Sequence, residues 1–280
     1  AVMLPIFPGP FFFEIMKAFV RIFPGLILVW VLSACPLLLA AEALPLRIAC
    51  VGDSITAGLS TPNPNWDSYP AQLQRLLGET AEVGNFGFSG ATLLKQGDKP
   101  YQLTASFQQA LQFKPDIVVI MLGTNDTKPQ NWKLKAQFTA DYKDLIGQFR
   151  ALDSKPRLVI CLPPYVAGAG KFGITEPVLL EQMPFIERVA ADEKVGLVDV
   201  HSAFKGRDAL LPDCVHPNAE GAGLLAKVVY QGITGKPFEG EVPAVIRSTW
   251  KGYERIDFLV NNRVSILVTP KTALPGRPWI

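Results

Sequence analysis

Four short polar clusters in this chain carry residue types that could do chemistry together: Gly52-Asp53-Ser54, Ser89-Gly90-Ala91-Thr92, Gly123-Thr124-Asn125-Asp126 and Asp213-Cys214-Val215-His216-Pro217-Asn218. Ser54 follows an apolar run, Leu46 to Val51. A serine delivered at the end of a buried strand is well placed to act as a nucleophile. The spacing is not the Gly-x-Ser-x-Gly elbow, because no glycine stands two residues after Ser54. A serine hydroxyl is weak on its own, so it needs a base, a group to orient that base, and donors for developing negative charge. Asp213-x-x-His216 supplies the first two. One turn of chain brings the carboxylate to Nδ1–H, which fixes the tautomer and leaves Nε2 free to take the Ser54 proton. Gly90 offers an N–H with no side chain in the way, and Asn125 offers an amide. With the Ser54 N–H these make a candidate three-donor oxyanion hole, each donor worth roughly 3 kcal/mol. The imidazole must be neutral to accept a proton, so activity should fall in acid.

Each cluster alone has a plainer reading. Gly-Asp-Ser is a common turn, Asn125-Asp126 could cap a helix, and Asp213 with His216 could be a solvated loop. The specificity lies in their order and in where the surrounding elements put them. Apolar runs at Leu46–Val51, Glu82–Phe86, Asp116–Met121, Arg157–Leu162 and Gly196–Val200 read as strands. Amphipathic stretches at Ser68–Leu77, Ala105–Phe113, Ala136–Leu152, Glu176–Glu193 and Ala219–Gly232 read as helices. Such alternation calls for a parallel sheet with helices on both faces. In such folds ligands meet the carboxyl ends of the strands, which is where the clusters fall.

These four blocks, with the stretch from Arg47 to Gly235, resemble the SGNH hydrolase superfamily, the GDSL esterases and lipases. The resemblance implies a flavodoxin-like three-layer α/β/α sandwich around a five-stranded parallel sheet, and a serine esterase. It places Ser54 as nucleophile, Asp213 and His216 as its partners, and Gly90 and Asn125 as oxyanion donors; Gly90 fits the family block better than Gly87. Lys99-Pro100-Tyr101, Leu162-Pro163-Pro164 and Gly170-Lys171-Phe172-Gly173-Ile174 resemble secreted bacterial sialate or carbohydrate O-acetylesterases. The substrate implied is a small-molecule or polysaccharide acyl ester, with acetyl as the group removed. A lysophospholipase or thioesterase for longer chains, and a non-catalytic carbohydrate-binding module, are the competing expectations.

The other chemistry-bearing residues read as structure. Asp53 should hydrogen-bond its own turn, Asp126 should scaffold its loop, and Cys214 and His201 should pack rather than react. Trp66, Tyr69, Tyr101, Trp132 and Phe172 fall in loops over the strand ends. They could form a sugar-stacking rim, though ordinary packing is the commoner use of loop aromatics.

Composition narrows the class. A net charge of +2 over 280 residues, with no basic stripe, gives no footprint for nucleic acid. Four cysteines without C-x-x-C pairing and two histidines suggest no metal site, and no cofactor is expected. Cys50 and Cys161 read as buried filler, with no disulfide. Residues 1–15 read as upstream translation, and residues 16–43 as a signal peptide with Lys17 and Arg21, an apolar run and an Ala-x-Ala exit. That predicts a secreted or periplasmic protein without a stable membrane partner; a lipid anchor at Cys35 ranks below plain cleavage. The SGNH domain is expected over 44–236. Residues 237–280 read as a linker and a β-hairpin turning at Asn261-Asn262, resembling the truncated start of a fused α/β-hydrolase domain. Oligomeric state has no signature in the sequence.

Overall fold

A computed structural model describes residues 44–272. The expected upstream segment, signal peptide and Cys35 lie outside the described residues. The chain runs β1 (Leu46–Gly52), α1 (Ser54–Ala57), α2 (Pro64–Asp67), α3 (Tyr69–Leu77), β2 (Ala81–Gly87), α4 (Ala105–Gln112), β3 (Ile117–Met121), α5 (Pro129–Trp132), α6 (Phe138–Arg150), β4 (Arg157–Leu162), α7 (Glu176–Glu193), β5 (Gly196–Asp199), α8 (Val200–Phe204) and α9 (Ala219–Thr234). β6 (Val245–Trp250), β7 (Tyr253–Val260) and β8 (Arg263–Thr269) follow.

Strands β1 to β5 form one parallel sheet in the order β2-β1-β3-β4-β5. This is the flavodoxin-like order, with its reversal between β1 and β3. Period-two alternation makes the layers. Along β1, Ala49 and Val51 pack with Phe138, Leu145 and Phe149 of α6, whereas Ile48 and Cys50 pack with Leu73 of α3 and Leu225 and Val229 of α9. A strand apolar on both faces is stable only with helices on both sides. The register is level at the carboxyl end, Gly52 standing opposite both Gly87 of β2 and Met121 of β3. The loops after these three strands therefore emerge side by side.

All five sheet strands and the five long helices of the sequence reading are present, with ends shifted by up to two residues. Four short helices, α1, α2, α5 and α8, went unread because four or five residues give no periodic signal. At the carboxyl-terminal side the structure adds β6, so the expected hairpin becomes a three-stranded antiparallel sheet, β6-β7-β8. Asn261 and Asn262, with φ of 49° and 61°, make the two-residue turn between β7 and β8. Left-handed φ at both central positions is the type I′ signature, which matches strand twist.

Candidate active site

Asp53 and Ser54 leave β1 at once into α1, and two close approaches make that possible. A Cβ on Gly52 would lie 2.1 Å from Thr56 Oγ1 and 2.7 Å from Met121 O, so only glycine lets α1 sit on the strand end. Asp53 caps α1, its Oδ1 accepting from Ile55 N at 2.9 Å. The cap sets Ser54 as the first helical residue, its hydroxyl clear of the sheet.

His216 comes from the far end of the domain, in the loop before α9. Ser54 Oγ lies 2.8 Å from His216 Nε2. On the other side of the ring, His216 Nδ1 is 2.8 Å from Asp213 Oδ2. The carboxylate assigns the ring proton to Nδ1, and Nε2 is left to accept from the serine hydroxyl. Asp213 Oδ1 meanwhile accepts the backbone N–H groups of His216 at 2.7 Å and Val215 at 3.1 Å. Burial pushes the Asp213 carboxyl up, but these donors and the imidazole outweigh it and hold the group below its ordinary value. The tight loop needs Cys214 at φ 72°, an uncommon conformation for a residue with a Cβ. Asn218 closes the loop by capping α9 through Gly221 N at 2.9 Å.

The loops after β2 and β3 are pinned together beside Ser54. Asp126, fully buried, accepts Leu93 N at 2.9 Å and Leu94 N at 2.8 Å. It is therefore the loop scaffold expected from the sequence. Burial pushes its carboxyl up to about 7, against the pull of those two donors. Burial likewise pushes Asp53 up to about 6, opposed by the Ile55 N–H and by the Lys128 charge. Gly90 stands in the β2 loop at φ 84°, and Lys99 clips that loop from outside by donating from Nζ to Ser89 O at 3.1 Å. No hydrogen bond among the described residues engages the Gly90 or Ser54 N–H. Gly87, by contrast, ends β2 packed against the Ala57 backbone.

Asn125 is beside the serine but its amide is engaged. Nδ2 donates to Asp53 Oδ2 at 3.2 Å and to Ala91 O at 3.1 Å. As an oxyanion donor it would have to exchange one of these acceptors for the substrate oxygen, since both of its amide hydrogens are in use.

The remaining expectations divide. Trp66, Tyr69, Tyr101 and Trp132 are buried, and Tyr101 OH donates to Phe86 O at 2.7 Å, so these four are packing and not a rim. Phe172 differs: it is 54% exposed, with its ring centroid 5.9 Å from that of His216. His201 pairs with Glu176 and not with a serine, its Nε2 lying 2.7 Å from Glu176 Oε1. Glu176, which went unread in the sequence, also accepts Val166 N at 2.9 Å and so ties down the loop that carries Phe172. Its one sequence signal is an acid in the first turn of a helix, where a carboxylate is favoured. Cys50 and Cys161 are buried free thiols, and Cys214 is a free thiol at the core's edge. Among the described residues no cluster of His, Cys, Asp or Glu could hold a metal ion.

A doubly wound sheet with serine, imidazole and carboxylate in hydrogen-bonded line at its carboxyl edge defines an α/β protein with the constellation used by serine hydrolases. The chain belongs to the GDSL-like lipase/acylhydrolase family, whose model matches residues 50–224. It is 34% identical over 207 residues to an acetylxylan esterase of Xylanibacter ruminicola, a match covering 67% of this chain and 43% of that protein. The chain thus matches less than half the length of that relative. The fold is shared with a carbohydrate acetylesterase of Sinorhizobium meliloti, at TM-score 0.56 and 22% identity over 68% of this chain and 99% of that one. It is shared also with a catalytic mutant of an acetylxylan esterase of Geobacillus stearothermophilus, at TM-score 0.54 and 22% identity over 70% and 97%.

Proposed function

We propose that this chain is a serine esterase that removes a short acyl group, acetyl, from carbohydrate. The observation carrying this reading is the unbroken line Asp213 Oδ2, His216 Nδ1, His216 Nε2, Ser54 Oγ, with both heavy-atom separations at 2.8 Å. Ser54 Oγ forms a bond to the ester carbon as its proton passes to Nε2, and the carbonyl electrons move onto oxygen. The N–H groups of Ser54 and Gly90 stand ready for that oxyanion, and Asn125 joins them by releasing Asp53 or Ala91 O. Collapse breaks the bond to the sugar oxygen, which leaves with the proton from Nε2. A water then gives a proton to Nε2 and attacks the acyl-serine carbon; as the bond to Oγ breaks, Nε2 returns that proton to Ser54 Oγ, releasing the acid and restoring both residues. Asp213 stays ionised throughout and steadies the imidazolium.

Carbohydrate is supported by what the acetylxylan esterase relative is named for and by the family-like segments around Tyr101, Pro163 and Phe172. The signal-peptide reading of residues 16–43 supports a secreted or periplasmic location, where polysaccharide is met. Acetate release from acetylated xylan, pectin fragments and sialic acids, with a p-nitrophenyl ester series from two to twelve carbons, tests the reading. Acetyl preference with release from at least one acetylated sugar is the expected result. A preference for acyl groups of eight carbons or more would move the reading to a lysophospholipase or thioesterase. Polysaccharide binding without release would leave only a binding module.

A further inference from the structure

Phe172 sits at the tip of a small hairpin closed by Lys171 and Ile174, and the catalytic line Asp213–His216–Ser54 gives it no role. Lys171 and Ile174 bond each other in both directions, Lys171 N to Ile174 O at 3.1 Å and Ile174 N to Lys171 O at 2.9 Å. The two residues between them, Phe172 and Gly173, have φ of 58° and 80°. This is the two-residue turn that favours Asn-Gly, and a bulky aromatic in its first central position is strained. The hairpin is anchored on the site itself. Ala167 N donates to Cys214 O at 2.8 Å, inside the Asp213–His216 loop, and Val166 N is held by Glu176 at 2.9 Å. A strained, half-exposed aromatic, fixed from both ends against the imidazole, is a candidate for function and not for packing.

The chemistry says which part of a substrate would meet it. The departing alcohol oxygen must lie within hydrogen-bond reach of His216 Nε2 to take its proton. The body of that alcohol therefore fills the space beside the imidazole, where the Phe172 ring is tilted 60° to it at 5.9 Å. Lys171 Nζ lies 5.1 Å from the ring centroid. An apolar plate with an ammonium over one face matches a pyranose, whose C–H face stacks on the other face of the ring while hydroxyls at its edge accept from the ammonium.

Resting on the esterase reading above, we propose that Phe172, with Lys171, forms the subsite for the sugar that leaves as alcohol and is the residue that selects carbohydrate esters over simple alkyl ones. Phe172 touches the alcohol and not the acyl group, so it acts on alcohol choice and leaves acyl-length preference alone.

The test compares kcat/KM on an acetylated xylo-oligosaccharide with that on ethyl acetate, whose alcohol is too small to reach the plate. In Phe172→Ala the ratio of the two should fall about ten-fold, equal to about 1.4 kcal/mol, mainly through KM on the sugar ester. Phe172→Trp should restore it. Phe172→Asn separates function from stability, because Asn suits the left-handed turn: its Tm should match or exceed that of the wild type while the ratio falls as in the alanine variant. A ratio unchanged in both variants, or equal losses on both esters, overturns the proposal while leaving the esterase reading intact. A wild type inactive on every ester would instead remove the esterase reading, and this one with it.

Discussion

The molecule holds two histidine–carboxylate pairs that are nearly identical as pairs. His216 meets Asp213 at 2.8 Å with side-chain exposures of 6% and 19%; His201 meets Glu176 at 2.7 Å with 6% and 18%. Neither distance nor burial distinguishes them. What differs is the far side of the ring. His216 is held through Nδ1 and turns Nε2 to Ser54, whereas His201 is held through Nε2 and stands edge-on to Tyr165, with no serine hydroxyl bonded to its ring among the described residues. One carboxylate orients a base for a nucleophile. The other joins α7 to α8 and, through Val166, steadies the Phe172 loop. A buried histidine–carboxylate hydrogen bond of this kind becomes a catalytic device only when a third group is delivered to the free nitrogen.

That contrast predicts a graded set of losses. Ser54→Ala and His216→Ala should each lower kcat on p-nitrophenyl acetate by roughly 10³ to 10⁶-fold with Tm nearly unchanged, and full activity in either would sink the mechanism. Asp213→Asn should lower kcat by roughly 10² to 10⁴-fold, since the imidazole loses the acceptor that fixes its tautomer. His201→Ala should do the reverse: a stability loss on the order of 1–3 kcal/mol, from Glu176 Oε1 losing its partner, with less than about ten-fold loss in kcat. A His201 variant with native Tm and no turnover would erase the distinction between the pairs.

A separate effect, on stability and not on turnover, concerns pH and the buried Asp126. Its carboxyl rises from 3.8 to about 7 in the folded protein, so the folded state holds its proton more tightly than the unfolded chain. The stability this contributes is full below pH 3.8 and is lost as pH climbs through about 7. Relative to Asp126→Asn, which does not titrate, the wild type should lose on the order of 2–4 kcal/mol between pH 4 and 7. Chemical denaturation across that range measures the gap, and a gap that stays flat would mean that hydrogen bonds from Leu93 and Leu94 keep Asp126 ionised.

Much of this was legible in the chain because it is local. Asp213 and His216 are one turn apart, so their pairing is built into the segment. Gly52 before Asp53-Ser54 announces a strand end and a tight entry to a helix. The apolar runs of β1, β3 and β4 are too continuous for any strand but one covered on both faces. The exceptions are pairings across long sequence distance. Glu176 with His201 and Asp126 with the Leu93–Leu94 backbone leave no spacing to read, and neither does the capture of the Asn125 amide by Asp53. Phe172 looked like four other loop aromatics, and the left-handed turn between Lys171 and Ile174 set it apart. Glycines at 168, 170 and 173 were the available hint that this loop turns tightly.

The sequence by itself determined the layered α/β fold, the family and the four strand-end clusters, because periodicity and local turn chemistry act over a few residues. Only the tertiary structure decided which acceptors hold the Asn125 amide beside Ser54 and which aromatic stands open there. Those outcomes depend on a level sheet edge bringing residues 54, 125, 172 and 216 into one place, and no local propensity encodes that convergence.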